Sequence, residues 1–85
     1  MKVYITGFET TKGGAGWVWR YKESDRDLCF ADILKDVPNF NDTGMIYKGE
    51  IEIGYLKDSE EITIFIGEYL QLCDFDKGFK DVVSF

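Results

Sequence analysis

The feature that most constrains the fold is a pair of alternating segments on either side of a glycine-rich stretch. Residues 3–9 and 16–22 both alternate in the manner of a β-strand with one buried face. Glycines crowd the stretch Lys12-Gly13-Gly14-Ala15-Gly16 between them, and glycine supplies the positive φ angles that a hairpin loop needs. The chain is therefore predicted to begin with a β-hairpin.

An amphipathic helix is predicted from about Asp25 to Asp36. Ser24, with Asp27 three residues later, is typical of a helix start, and Pro38 is typical of a stop. At 100° per residue the segment has an apolar side and an opposite acidic side. The apolar side comprises Phe30, Ile33, Leu34 and Val37, and the acidic side comprises Asp25, Asp32 and Asp36.

After turn-forming residues 38–44, residues 45–56 are predicted to form a strand. Ile51 and Ile53 would face one way, and Glu50 and Glu52 the other. Residues 57–60 could then close a second hairpin.

Residues 62–67 are ambiguous. Isoleucines alternate there, and the β-branched residues together with Gly67 favour a central strand, but Ile62, Ile66 and Tyr69 also fit the spacing of a helix over 60–72. We favour the strand. A turn at 76–78 and a short last strand over 79–85 complete the prediction.

These elements predict one α+β domain over residues 1–85. Its sheet would be mainly antiparallel, with four or five strands, and one amphipathic helix would cover one face. No apolar run approaches the ~20 residues of a membrane span, and no signal-peptide pattern opens the chain. We expect a cytoplasmic protein without membrane contact, whose exposed strand edges make a homodimer conceivable.

The composition argues against catalysis and metal binding. There is no histidine, which removes the commonest general base and metal ligand, and no histidine can activate Cys29 or Cys73. The acids around Asp74 and Asp76 lack the complete spacing of a calcium loop. We therefore expect no catalytic residues, no metal and no cofactor.

One glycine-rich segment resembles part of a nucleotide-binding motif, but the residues that follow it do not match. Residues 11–16, Thr-Lys-Gly-Gly-Ala-Gly, resemble the start of the phosphate loop in partitioning-type ATPases. That family needs a Lys and a Ser or Thr directly after the last glycine, and Trp17 and Val18 stand there instead. A hairpin loop remains the preferred interpretation.

The charge is segregated along the chain. Residues 1–22 carry a net charge of +3, whereas residues 23–85 carry −9. An acidic surface of this kind favours a basic partner and repels nucleic acid. The acids considered for such a surface are Asp25, Asp32, Asp36, Asp42, Glu50, Glu52, Asp58, Glu60 and Glu61.

The aromatic strand offers a second surface. Trp17, Trp19 and Tyr21 share one face of the predicted hairpin, with Arg20 and Lys22 on the other. Exposed, they could stack on unpaired bases or anchor a protein partner, and buried, they would form the inner face of a half-buried strand. We favour burial, because a small core needs large side chains.

Three functions follow from these surfaces. The first is a non-enzymatic inhibitor or adaptor that binds a basic cleft of a nuclease or other nucleic-acid-binding protein, in its extreme form as a nucleic-acid mimic. In size and charge alone, the chain resembles the short acidic proteins with which phages block restriction and CRISPR nucleases. The alternatives are a single-stranded nucleic-acid-binding module using residues 17–22, and a small ligand-binding domain or enzyme without histidine chemistry.

Overall fold

The computed structural model describes residues 1–12, 14–36, 43–55, 58–72 and 81–84, of which only the backbone is described at 43, 72 and 81–84. The elements follow one another as β1 (Lys2–Thr10), β2 (Ala15–Arg20), α1 (Glu23–Asp36), β3 (Thr43–Glu52), α2 (Ser59–Leu72) and β4 (Asp81–Ser84).

Strand β1 is central in an antiparallel sheet whose strand order is β2-β1-β3-β4. It pairs with β2 from Tyr4–Arg20 to Glu9–Ala15, which confirms the predicted hairpin. At the turn, the Gly14 amide donates to Thr10 Oγ1 and the Thr10 amide donates to the Gly14 carbonyl, both at 2.7 Å. On its other side β1 pairs with β3 over its whole length.

The two faces of the sheet are covered by different helices. On the first face, Val3 and Ile5 of β1 and Ile51 of β3 form a cluster with Ile62 and Ile66 of α2. Each of these five side chains is at most 5% exposed. Because side chains alternate along a strand, Tyr4, Thr6 and Lys48 belong to the second face.

Helix α1 covers this second face through polar contacts as well as apolar ones. The guanidinium of Arg26 lies 5.5 Å from the centroid of the Tyr4 ring, and the Lys48 ammonium lies 4.9 Å from that of Phe30. The predicted apolar residues Phe30, Ile33 and Leu34 are half-buried. The helix begins at Glu23, so Ser24 lies within its first turn and does not precede it.

Residues 59–72 form a helix, so the predicted strand over 62–67 and the predicted hairpin loop at 57–60 are wrong. The Glu60 amide donates to Asp58 Oδ1 at 2.7 Å, which caps the helix start. Ile62 and Ile66, one turn apart, are then buried against the first face of the sheet. This burial outweighs the modest strand preference of the β-branched residues and the low helix propensity of Gly67.

The structure therefore confirms a small α+β domain with an antiparallel sheet, and it corrects the prediction of a single helix on one face. Ile51 of β3 and Ile53 just after it are buried, and Glu50 and Glu52 are exposed, as their alternation predicts, but β3 ends at Glu52 whereas the strand was predicted to continue to residue 56. Residues 81–84 form a strand within the predicted 79–85. The predicted turn at 76–78, most of the one at 38–44, and Val37 and Cys73 lie outside the described residues.

Candidate protein-binding surface

The acids of the predicted surface divide among three elements. Asp25, Asp32 and Asp36 are exposed on α1, which covers the second face of the sheet. Asp58, Glu60 and Glu61 are exposed at the start of α2, which covers the first face. Glu50 and Glu52 lie near the end of β3, and Asp42 lies outside the described residues. The sheet thus separates the acids of α1 from those of α2.

Both strand glutamates are already paired with cations. Glu50 accepts from Lys2 Nζ at 3.5 Å, and Glu52 accepts from the α-ammonium of Met1. The hydrogen bond from that ammonium holds the pKa of Glu52 below its usual value against the opposing effect of desolvation, and the charge of the ammonium adds to the lowering. These two acids therefore have less unbalanced charge to offer a partner.

Helices α1 and α2 begin at the same end of the sheet. Helix α1 follows the end of β2, where Arg20 pairs with Tyr4, and α2 follows the end of β3, where Glu52 pairs with Lys2. Asp25, Asp58, Glu60 and Glu61 therefore lie towards that end. Asp32 and Asp36 lie farther away along α1, because an α-helix rises about 1.5 Å per residue.

The outward side of α2 exposes apolar side chains among acids. Ile64 is 57% exposed and Phe65 is 37% exposed, although Ile62 and Ile66 beside them are fully buried. Glu61, Ile64, Phe65 and Glu68 follow the i, i+3, i+4, i+7 spacing that places residues on one side of a helix. We define the outer face of α2 as these four residues with Glu60 and Asp58 at its start.

This outer face has an apolar centre and a charged rim, an arrangement that protein interfaces share. Such interfaces place apolar side chains at the centre and polar ones at the rim. Here Ile64 and Phe65 lie between the carboxylates of Glu60 and Glu61 on one side and that of Glu68 on the other. Sequence reasoning missed Ile64 and Phe65 because it assigned them to a central strand. Their helical offset from Ile62 and Ile66 was the signal that could have found them.

The aromatic residues of the hairpin have different environments. Trp17 and Trp19 are half-buried and pack against the core cluster on the first face, in agreement with the favoured interpretation. Trp19 Nε1 donates to Thr63 Oγ1 of α2 at 2.9 Å. Tyr21, in contrast, is 54% exposed because it lies beyond the end of β2, so the favoured burial is wrong for this residue; its ring meets that of Trp19 edge to face, with centroids 4.8 Å apart. Base stacking on both indoles would require them to leave the core.

Another exposed aromatic side chain lies near the start of α2. Tyr55 is 97% exposed, directly after Gly54, whose φ is +61°. Its position between Glu52 and Asp58 in the sequence places it at the end of the sheet where both helices begin. The sequence prediction included Tyr55 in a strand and did not consider it for binding.

Arg26 organises the electrostatics of α1. It is 6% exposed and donates from Nε to Asp27 Oδ1 at 2.8 Å and from its guanidinium to the Gly49 carbonyl of β3. The hydrogen bond from Arg26 is the main reason that the pKa of Asp27 lies below its usual value, and Lys48 adds to the effect. Asp27 thus serves the packing of α1 rather than its outward acidic side.

Within the described residues, no three cysteine or acidic side chains are arranged to hold a metal ion. Neither α1 nor α2 has the length and apolar character that would let a helix cross a membrane. Comparison with known proteins finds no matching family model, no matching curated protein and no matching solved structure. Functional inference therefore depends on the geometry of this chain.

Proposed function

We propose that the protein is a non-enzymatic inhibitor or adaptor that uses the outer face of α2 to bind a basic surface of a nucleic-acid-handling protein. The observation that carries the proposal is the exposure of Ile64 and Phe65 between acidic side chains on one side of a helix. The carboxylates would steer a basic partner, and the apolar centre would supply the contact area.

The charge balance supports a basic partner. Among the described residues, no ion pair involves Asp58, Glu60, Glu61 or Glu68, whereas Glu23, Asp27, Glu50 and Glu52 all have cationic neighbours. Neutralising carboxylates across an interface is favourable only when the partner brings positive charge. A nuclease or another protein with a nucleic-acid cleft has that charge, as would the target of a phage anti-restriction or anti-CRISPR protein.

A nucleic-acid mimic is the narrower form of this proposal. Duplex DNA carries one charge per ~1.7 Å of its axis, whereas Glu61 and Glu68 are separated by about 10 Å along α2. A mimic would need the acids of α1, including Asp25, to act together with those of α2 around the end of the sheet. A competition experiment with duplex DNA tests whether the protein is a mimic. Duplex DNA should displace a mimic from its partner, whereas an adaptor that binds outside the nucleic-acid cleft should stay bound.

A pull-down from the organism that encodes the chain tests the proposal. The bait variant combines Asp58→Asn, Glu60→Gln and Glu61→Gln, because asparagine keeps the helix cap while removing the charge. A matched bait carries Asp25→Asn, Asp32→Asn and Asp36→Asn on α1. The captured protein should be lost with the α2 bait, retained with the α1 bait and released by moderate salt.

Two results would overturn the proposal. One is capture that is equally strong with the α2 variant and the unmodified chain. The other is a captured protein that lacks a basic nucleic-acid-binding surface. Phe65→Ala and Tyr55→Ala then separate the apolar contributions: loss of capture with Phe65→Ala alone confines the contact to the outer face of α2, and loss with both extends it to the end of the sheet.

A further inference from the structure

A cleft lies between the second half of α2 and the ends of β1 and β2 near their hairpin turn. Its volume is about 400 Å³, enough for a small organic molecule. Trp17 and Tyr47 supply aromatic surface, Leu70 supplies an aliphatic one, and Glu9 supplies a carboxylate. None of the six residues that define the outer face of α2 lines this cleft, so the two surfaces can be altered separately.

Small residues keep the cleft open. Gly67 of α2 faces the Trp17 ring, and a methyl group at Gly67 would reach ordinary contact with Trp17 Cζ2 at 3.7 Å. Ala15 lines the cleft from β2, directly opposite Glu9 in the strand ladder. Any longer side chain at residue 15 or 67 would occupy the space beside the indole.

Among the residues that the structure describes, no cation is paired with the carboxylate in the cleft. Glu9 is half-buried, and within the described part of the chain no ion pair or side-chain hydrogen bond involves its carboxylate. Every other half-buried or buried ionic side chain described above is paired: Arg26 and Asp27 with each other, and Lys48 with Asp27. A partly desolvated carboxylate favours a positively charged neighbour.

We propose that this cleft binds the head group of an organic cation, an alkylammonium or a guanidinium. The π-face of an indole attracts such cations, and a carboxylate within the same cleft supplies the opposite charge. A bare metal ion fits poorly, because it requires several oxygen ligands and Glu9 supplies the only carboxylate among the described residues that line the cleft. The head group could belong to a free metabolite or to a lysine or arginine side chain of a protein.

The two tryptophans make the site measurable by NMR. The indole N–H signal of Trp17 should shift as choline is added. The signal of Trp19 should stay in place, because its indole N–H is hydrogen-bonded to Thr63, outside the cleft. The variant Trp17→Phe assigns the two signals. The neutral isostere 3,3-dimethylbutan-1-ol has the shape of choline without its charge, and we expect it to bind about tenfold more weakly.

Charge variants complete the test. Glu9→Gln should weaken choline binding about tenfold, and Glu50→Gln, which removes an equal charge on the opposite face, should leave it unchanged. Unchanged urea midpoints would show that both variants are folded. Nα-acetyl-lysine methylamide and Nα-acetyl-arginine methylamide represent protein side chains. Tighter binding of either one than of choline indicates that the natural ligand is a protein side chain, and tighter binding of choline indicates a free metabolite.

Absence of any saturable shift of the Trp17 signal with all three cations would overturn the proposal. Equal affinity for choline and its neutral isostere would overturn it as well, since the cleft would then recognise shape alone. The outcome is independent of the pull-down, because none of the variants on the outer face of α2 alters a residue that lines the cleft.

Discussion

The ring of Tyr47 lies across Gly7 of the neighbouring strand, its direct partner in the ladder. A methyl group on Gly7 would come within 2.6 Å of Tyr47 Oη and 2.5 Å of the Gly16 carbonyl oxygen. Phe8 covers Gly16 in the same manner on the other face, where an added methyl would lie 2.9 Å from the Phe8 ring. The two strand glycines thus allow aromatic rings to pack flat on the backbone.

We expect Gly7→Ala to lower the free energy of unfolding by about 1–3 kcal/mol, the usual cost of overpacking a core. The added methyl group would clash with the Gly16 backbone and with the ring of Tyr47, which is 2% exposed. Neither group can move without disturbing its own packing. Urea denaturation followed by tryptophan fluorescence measures the change. A variant as stable as the unmodified chain would contradict the packing of Tyr47 on Gly7.

The same substitution in α2 should have the opposite effect. Gly67→Ala places its methyl at contact distance from Trp17, and it replaces a poor helix former by the best one. We expect unfolding to cost about 0.5–1 kcal/mol more. The pair of glycine variants forms its own control, because the chemical change is identical and only the surroundings differ. Destabilisation by Gly67→Ala would indicate that Trp17 cannot accept the contact.

Replacing Arg26 should loosen α1 from the sheet. Arg26→Met keeps much of the aliphatic length but removes the guanidinium that donates to the Gly49 carbonyl and to Asp27, leaving Asp27 with Lys48 Nζ at 3.4 Å. We expect a loss of about 1.5–3 kcal/mol, typical of hydrogen bonds that involve a charged group. Arg20→Met is the matched control: Arg20 is exposed and, within the described residues, its side chain donates only to the carbonyl of its neighbour Trp19, so its effect should stay within about 0.5 kcal/mol.

The contact between Arg26 and Asp27 should also make the free energy of unfolding depend on pH. Because folding lowers the pKa of Asp27 below 3.8, its contribution is fully present above that pH and is lost as the pH falls through the lower folded value. The stability difference between the unmodified chain and Asp27→Asn should therefore be largest at neutral pH and shrink in acid. Urea midpoints measured at a series of pH values give this difference.

Asp32→Asn is the control for this measurement, because it removes an equal charge from the outward side of α1 and leaves the Arg26–Asp27 contact intact. A difference between the unmodified chain and Asp27→Asn that stayed constant from neutral pH into the acid range would show that the contact does not stabilise the fold.

Local patterns were enough to predict the hairpin, α1 and the alternation of β3, because each has an unambiguous period. Residues 60–72 were harder, since Ile62 and Ile66 fit both a strand and a helix. The decisive signal was Asp58 followed three residues later by Glu61, which is typical of a capped helix start. Giving this pair more weight than β-branching would have predicted α2.

The binding features depend on packing that no local pattern contains. Ile64 and Phe65 become exposed only because α2 turns Ile62 and Ile66 inwards. The cleft beside Trp17 requires both the register that sets Ala15 opposite Glu9 and the docking of Gly67 over the hairpin. Arg26 was overlooked because a cation within an acidic segment suggests a solvated residue, whereas here it lies beneath the helix.

The central position of β1 has a consequence for synthesis on the ribosome. Strand β2 follows β1 after a short turn, so these two strands can pair early. The other edge of β1 stays unpaired until β3 is made, because α1 lies between β2 and β3 in the chain. Until then, Val3 and Ile5 belong to a two-stranded hairpin, which is seldom stable alone and offers an unpaired edge to other chains. The second edge of β1 is therefore paired only after residues 43–52 have emerged, and Val3 and Ile5 are covered only after α2 follows.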